Sequence, residues 1–254
     1  LPLTIRDARR RAGSLRARLA ALDGTPAASA PVKDAASRSL VSVNRLVVRR
    51  GTVEALSKVT LGVSAGSVTA VMGRNGAGKS TLLAAMAGQL AATSGEVSVA
   101  GSSPRRLAPH DRVRVVGLVP QDSNLLLYAD SVAAECRAAD RDFAAADGTT
   151  RALLARIAGE VDGDQHPRDL SEGQRLALAL AIILAGRPQV VLLDEPTRGL
   201  DYPAKRRLVG ILRDLDVEGH AVIVATHDVE LVAEVAQRVI VLAEGEVVVD
   251  GPIH

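Results

Sequence analysis

Between residues 40 and 250 the chain alternates short apolar runs with longer stretches of helical periodicity. Residues 40–48 and 59–63 read as strands, and 68–72 is a short β-branched run that ends at a glycine-rich loop. A helix is expected from about Lys79, followed by strands over 96–100 and 113–119. Residues 122–186 change character, being Ala-rich with helical periodicity and no strand pattern. Strands return at 190–194, 221–226 and 239–242, with helices between them. Such alternation predicts a parallel sheet covered on both faces, and its interruption predicts an inserted helical lobe. Upstream, residues 6–22 read as a short basic helix. Residues 23–39, rich in Ala, Ser and Pro, read as a flexible linker.

Composition narrows the classes. At 254 residues the chain has room for one large α/β domain, or one plus a lobe. Apolar residues make up 47%, which supplies a sizeable core. Only Tyr128, Phe143 and Tyr202 are aromatic, so the core is Ala, Val and Leu, and no nucleic-acid partner read by base stacking is expected. The single cysteine, Cys136, excludes an internal disulfide and a cysteine zinc site. The longest uncharged apolar run, 176–185, is short of the ~20 residues that cross a bilayer, so a soluble chain is expected. No apolar segment precedes a small-residue cleavage site, which argues against a targeting peptide. The net charge of +2 hides an asymmetry: residues 1–50 carry 11 Lys/Arg against 3 Asp/Glu, or +8, and the remainder carries −6. The basic end is either a solvated connector or a surface for anionic lipid or RNA.

The chemistry begins at Gly73-Arg74-Asn75-Gly76-Ala77-Gly78-Lys79-Ser80, which fits G-x-x-x-x-G-K-[ST] between an apolar strand and a helix. Gly76 and Gly78 permit backbone conformations in which successive N–H groups point inward at phosphate. The helix N-terminus adds its positive dipole end. Lys79 supplies a mobile positive charge for the β- and γ-phosphates, and the Ser80 hydroxyl suits Mg²⁺. A second feature is the buried strand 190–194, which ends in Asp194 and Glu195. Alternation along a strand sends these carboxylates to opposite faces, giving them different tasks. Asp194 is expected in the Mg²⁺ shell, and Glu195 is expected to polarise a water toward the γ-phosphate.

Between these motifs lies Leu170-Ser171-Glu172-Gly173-Gln174, and with it the chain, over nearly all of 40–250, resembles the nucleotide-binding domain of ABC ATPases. The run is similar to that family's L-S-G-G-Q signature, with Glu172 in place of the first Gly. The resemblance implies an α/β fold: a P-loop core with a mostly parallel sheet, an antiparallel β subdomain and an inserted helical lobe. It implies that Asn75, Gly76, Ala77, Gly78, Lys79, Ser80 and Thr81 hold ATP and Mg²⁺. Ser171, Gly173 and Gln174 would close over the γ-phosphate held by a partner domain. Gln121 is similar to the Q-loop glutamine that contacts Mg²⁺ and water, and His227 to the switch histidine at the γ-phosphate. Asp201, in Gly199-Leu200-Asp201, is similar to the D-loop aspartate that reaches across the dimer.

One departure is that Arg50 stands where the family usually has an adenine-stacking aromatic. It either stacks through its guanidinium plane or is surface charge.

Residues 194–202 and 241–251 look most like energy-coupling-factor ATPases, which drive uptake of vitamins or of cobalt and nickel ions. That likeness implies an ATPase peripheral to the cytoplasmic face of the cell membrane. Its partners would be a second ABC ATPase domain, in the same chain or another, and an integral membrane subunit. A chain that opens on Leu1 behind a basic linker is expected to be the second half of a fused pair, with the ATPase domain at 40–254. The alternative is a soluble ABC ATPase acting on ribosomes. Proteins of that kind are less similar over 197–201 and usually carry longer, charged linkers.

Overall fold

The computed structural model describes residues 39–253. The helix expected at 6–22 and nearly all of the linker at 23–39 lie outside that range; Ser39, placed in the linker, is the first residue of a strand.

In chain order the elements are β1 (Ser39–Arg50), β2 (Val53–Ser64), β3 (Ser67–Met72), α1 (Lys79–Met86), β4 (Ser94–Val99), α2 (Pro109–Val115) and β5 (Val116–Val119). Then come α3 (Val132–Asp142), α4 (Thr149–Ala158), α5 (Glu172–Ala185) and β6 (Val190–Asp194). The chain closes with α6 (Tyr202–Val217), β7 (Ala221–Ala225), α7 (Val229–Val235), β8 (Arg238–Ala243) and β9 (Glu246–Pro252). A three-stranded antiparallel sheet runs β2-β1-β4. A six-stranded sheet runs β5-β6-β7-β3-β8-β9, with every pair parallel except β8–β9. Between β5 and β6 the chain forms only helices and loops, the lobe expected at 122–186.

Strand alternation builds the core. In β6 and β7, all five residues of each strand are buried. Val190, Leu192, Ala221, Ile223 and Ala225 face the cluster formed with α1 and the antiparallel sheet. Val191, Leu193, Val222 and Val224 face the cluster formed with α5 and α6. Each such aliphatic side chain contributes about 1.5–3 kcal/mol by leaving water, so this central ribbon is held from both sides. The core is aliphatic as composition indicates: Tyr128 and Tyr202 are exposed, and Phe143 only borders a cluster.

Two expectations need correction. Residues 113–115 belong to α2, not to the strand expected at 113–119. Pro109 at the first turn, Asp111 early and Arg112 and Arg114 late favour a helix that runs directly into β5. The final strand β9 was not anticipated. It pairs with β8 through a two-residue turn, Glu244-Gly245, both at positive φ, as a tight hairpin requires.

Candidate active site

β3 delivers the chain into the glycine loop, and α1 begins at Lys79. Gly78 sits at φ 104°, and a Cβ there would fall 2.7 Å from the Ala55 carbonyl oxygen, so strand β2 packs directly under the loop. No side chain caps the first turn of α1, leaving its N–H groups to face the adjoining cavity. That cavity, of about 580 Å³, is lined by Ala55, Asn75, Gly76, Gly78, Lys79, Ser80, Thr81, Gln121, Glu195, Arg198 and His227. The topology brings them together. β6 and β3 both flank β7, so the end of β6 carries Glu195 beside the glycine loop, and the end of β7 carries His227.

Glu195 is the hub. Its backbone N–H donates to the Ala225 carbonyl (2.8 Å), and its φ of 49° turns the chain out of β6. Oε1 lies 3.3 Å from Lys79 Nζ, and both side chains are buried. Oε2 lies 2.7 Å from His227 Nδ1. An ionised carboxylate only accepts, so this contact places a hydrogen on Nδ1. Lys79 Nζ also donates to the Gly73 carbonyl at 2.9 Å.

Asp194 is buried beneath this pair. Burial pushes its carboxyl up from the ordinary value and the Glu195 charge adds to the rise, opposed by the Ser80 hydroxyl and the Lys79 ammonium. Its Oδ1 is buried with no hydrogen-bond partner among the described residues. An orphaned carboxylate oxygen next to a Ser hydroxyl is a hard-oxygen pair of the kind Mg²⁺ takes, so these residues fit that ion. Glu195 follows β6 at φ 49° and lines the cavity, whereas Asp194, the last residue of β6, lies against the Ser80 hydroxyl.

The remaining candidates divide. Gln121 lines the cavity. The segment after it is drawn onto α3, where the Glu135 carboxylate accepts from the Tyr128 and Ala129 N–H groups. Ser171, Gly173, Gln174 and Asp201 do not line the cavity with Lys79. Ser171 caps α5, accepting from the Gln174 N–H, while Gln174 Oε1 accepts from the Ser171 N–H. Gly173 packs against α6, where a Cβ would fall 2.8 Å from Ala204 Cβ. Asp201 caps α6 through the Ala204 N–H. Arg50, exposed at the end of β1, is not among the lining residues; Ala55 of β2 is. Sequence reading gave no role to Arg198, although a basic residue three positions past the acidic strand end was a usable signal.

The sequence profile of the family described as "ABC transporter" matches residues 56–198. The chain is 56% identical to a putative ABC transporter ATP-binding protein of Streptomyces coelicolor, covering 99% of this chain and 49% of that one. It is 38% identical to another from Geobacter sulfurreducens, covering 78% and 80%. The chain thus spans about half the length of the Streptomyces relative. Among solved structures, the ATP-binding cassette MJ0796 in a dimeric post-hydrolysis state bound to ADP and Pi superposes with a TM-score of 0.75 at 25% identity, over 84% of this chain and 99% of that one. CbiO1 from Clostridium perfringens, part of the cbiONQ transporter complex, superposes with a TM-score of 0.73 at 28% identity, over 84% and 88%. With its glycine loop, acidic strand end and signature in order on the matching fold, the chain belongs to the ABC transporter family, as an ATP-binding ABC ATPase domain.

Proposed function

We propose that this domain hydrolyses ATP at the Lys79–Glu195–His227 cluster, as one half of a head-to-tail pair that drives solute uptake through a membrane subunit. The observation that carries the reading is the buried carboxylate of Glu195, held between Lys79 and His227 inside the glycine-loop cavity. The first-turn N–H groups of α1 and the Lys79 ammonium bind the triphosphate. Contact with phosphate draws Lys79 away from Glu195, which frees Oε1 to take a proton from water. The water oxygen bonds to the γ-phosphorus as the bond to the β-phosphate oxygen breaks, leaving ADP and phosphate. The His227 Nδ1–H keeps the carboxylate oriented. Asp194, Ser80 and Gln121 would hold Mg²⁺, which when bound neutralises phosphate charge.

Pairing follows from where the signature lies. Ser171, Gly173 and Asp201 stand outside their own chain's cavity, and in the head-to-tail arrangement they serve the partner's. The likeness to MJ0796 in its dimeric state supports this reading. The likeness to CbiO1, a part of the cbiONQ complex, supports a vitamin or metal-ion system, with the domain peripheral to the cytoplasmic face of the membrane. Residues 1–39 then serve as a basic connector. Among the described residues no helix is long and apolar enough to cross a membrane.

The test is sizing chromatography of the Glu195→Gln protein with Mg-ATP. Turnover should fall by about 10²–10⁴, and bound ATP should accumulate a dimer, or a compacted state where both domains share one chain. Bound ATP with no change in hydrodynamic size would overturn the pairing.

A further inference from the structure

Among the charged side chains lining the glycine-loop cavity, one is left over. Lys79 and His227 are both engaged by Glu195. Arg198 lines the same cavity, yet its guanidinium makes no ion pair or hydrogen bond among the described residues. Its backbone, by contrast, is firmly placed. The Arg198 N–H donates to the Glu195 carbonyl at 3.1 Å, closing a four-residue turn. Such a turn holds its end Cα atoms within about 7 Å, which keeps Arg198 beside the proposed water-activating carboxylate. The turn is anchored at both sides. Glu195 is tied to β7 through the Ala225 carbonyl, and Thr197 is buried with its hydroxyl toward the Asp228 carboxylate. A fixed turn therefore holds Arg198, an exposed residue, among the lining residues of the cavity that also include Glu195, Gln121 and His227.

The chemistry of that cavity selects the ligand. In the ligand-free site Glu195 pairs with Lys79, and among the described residues Arg198 is a lining cation with no acidic partner. A guanidinium fork offers two parallel N–H donors to two phosphate oxygens, a geometry a point-charge ammonium cannot reproduce. Its position next to Glu195 directs it to the phosphoryl group that water attacks rather than to the phosphates cradled by the loop. We infer that Arg198 is a second phosphate-binding cation, one that grips the terminal phosphate of ATP from within the same chain and so sets the preference for ATP over ADP. This rests on the nucleotide site proposed above and adds a residue to it.

The test is calorimetric titration of the full chain and its Arg198→Ala, Arg198→Lys and Lys79→Ala variants. The titrants are Mg²⁺ with the non-hydrolysable β,γ-imido analogue of ATP, and Mg-ADP. A charge-assisted contact at an exposed site is worth roughly tenfold in affinity. Arg198→Ala should therefore bind the triphosphate analogue roughly tenfold more weakly and ADP as the parent does, with Arg198→Lys in between. Unchanged affinity for both nucleotides would make Arg198 surface charge and overturn the inference. An equal loss for both would overturn it too, by placing the guanidinium on the inner phosphates or on the loop's fold. Lys79→Ala separates the two levels of argument. If it binds both nucleotides like the parent, the site itself is misassigned. If it loses both while Arg198→Ala loses neither, only the Arg198 inference fails.

Discussion

The buried pair of Lys79 and Glu195 should reveal itself in stability before any nucleotide is added. At 3.3 Å, and with an effective dielectric of about 20, two unit charges attract by about 5 kcal/mol. The cost of desolvating both groups removes most of that, leaving a coupling of ~1–2 kcal/mol. Lys79→Ala strips the counter-charge from a carboxylate that is 8% exposed and leaves it His227 alone, so it should cost ~3 kcal/mol. Glu195→Gln is milder, about 1–2 kcal/mol, because the amide oxygen still accepts from Lys79. The double variant buries neither charge and should cost about as much as Lys79→Ala alone. Thermal unfolding without nucleotide measures all four proteins, at ~2–4 °C per kcal/mol for a domain of this size. Strictly additive losses, within about 0.5 kcal/mol, would refute the view that Glu195 is held by Lys79 in the ligand-free protein. Both proteins carrying Lys79→Ala should also fail to bind Mg-ATP, which separates the lysine's part in binding from its part in stability.

Two further predictions concern the helical lobe. Burial pushes the Cys136 thiol up to about 11, so the folded protein should resist thiol-specific alkylation at pH 8 and react only as it unfolds in urea; fast labelling of native protein would contradict this placement. Burial also pushes the Asp140 carboxyl up, but the Thr150 hydroxyl and the Thr150 and Gly148 N–H groups outweigh it and hold the group below its ordinary value. The folded state thus binds this proton less readily than the unfolded chain. Its stabilisation is complete above the ordinary carboxylate range and is lost as pH falls through the lowered value. Asp140→Ala should cost ~1–3 kcal/mol at pH 7, with the gap from the parent narrowing in acid; a gap independent of pH would remove the charge from the explanation.

What local order along the chain can specify, the sequence determined. The glycine loop between an apolar strand and a helix, the apolar run 190–194 ending in carboxylates, and the signature before an apolar helix depend on residues within a few positions of one another. Their conformations are local consequences of glycine, of strand burial and of a Ser–Gln capping pair. The lobe was legible as well, because Ala-rich helical periodicity excludes strands over 122–186. Where local signals conflicted, reading failed. The Val-Arg-Val-Val run fits helix and strand alike, and only the pairing of β5 with β6 decides that the strand starts at Val116.

The site itself needed the sheet order β6-β7-β3. Nothing local reports that Lys79, Glu195 and His227 meet, since they lie on three separate segments that become neighbours only through parallel pairing. The assembled fold also puts Ala55, and not Arg50, among the residues that line the cavity. It also brings Arg198 to that cavity, its guanidinium without a partner among the described residues. Residue types and spacing announce which chemistry is available. Which side chains neutralise one another, and which charge is left free, is a property of long-range contacts, and those exist only once the sheet has assembled.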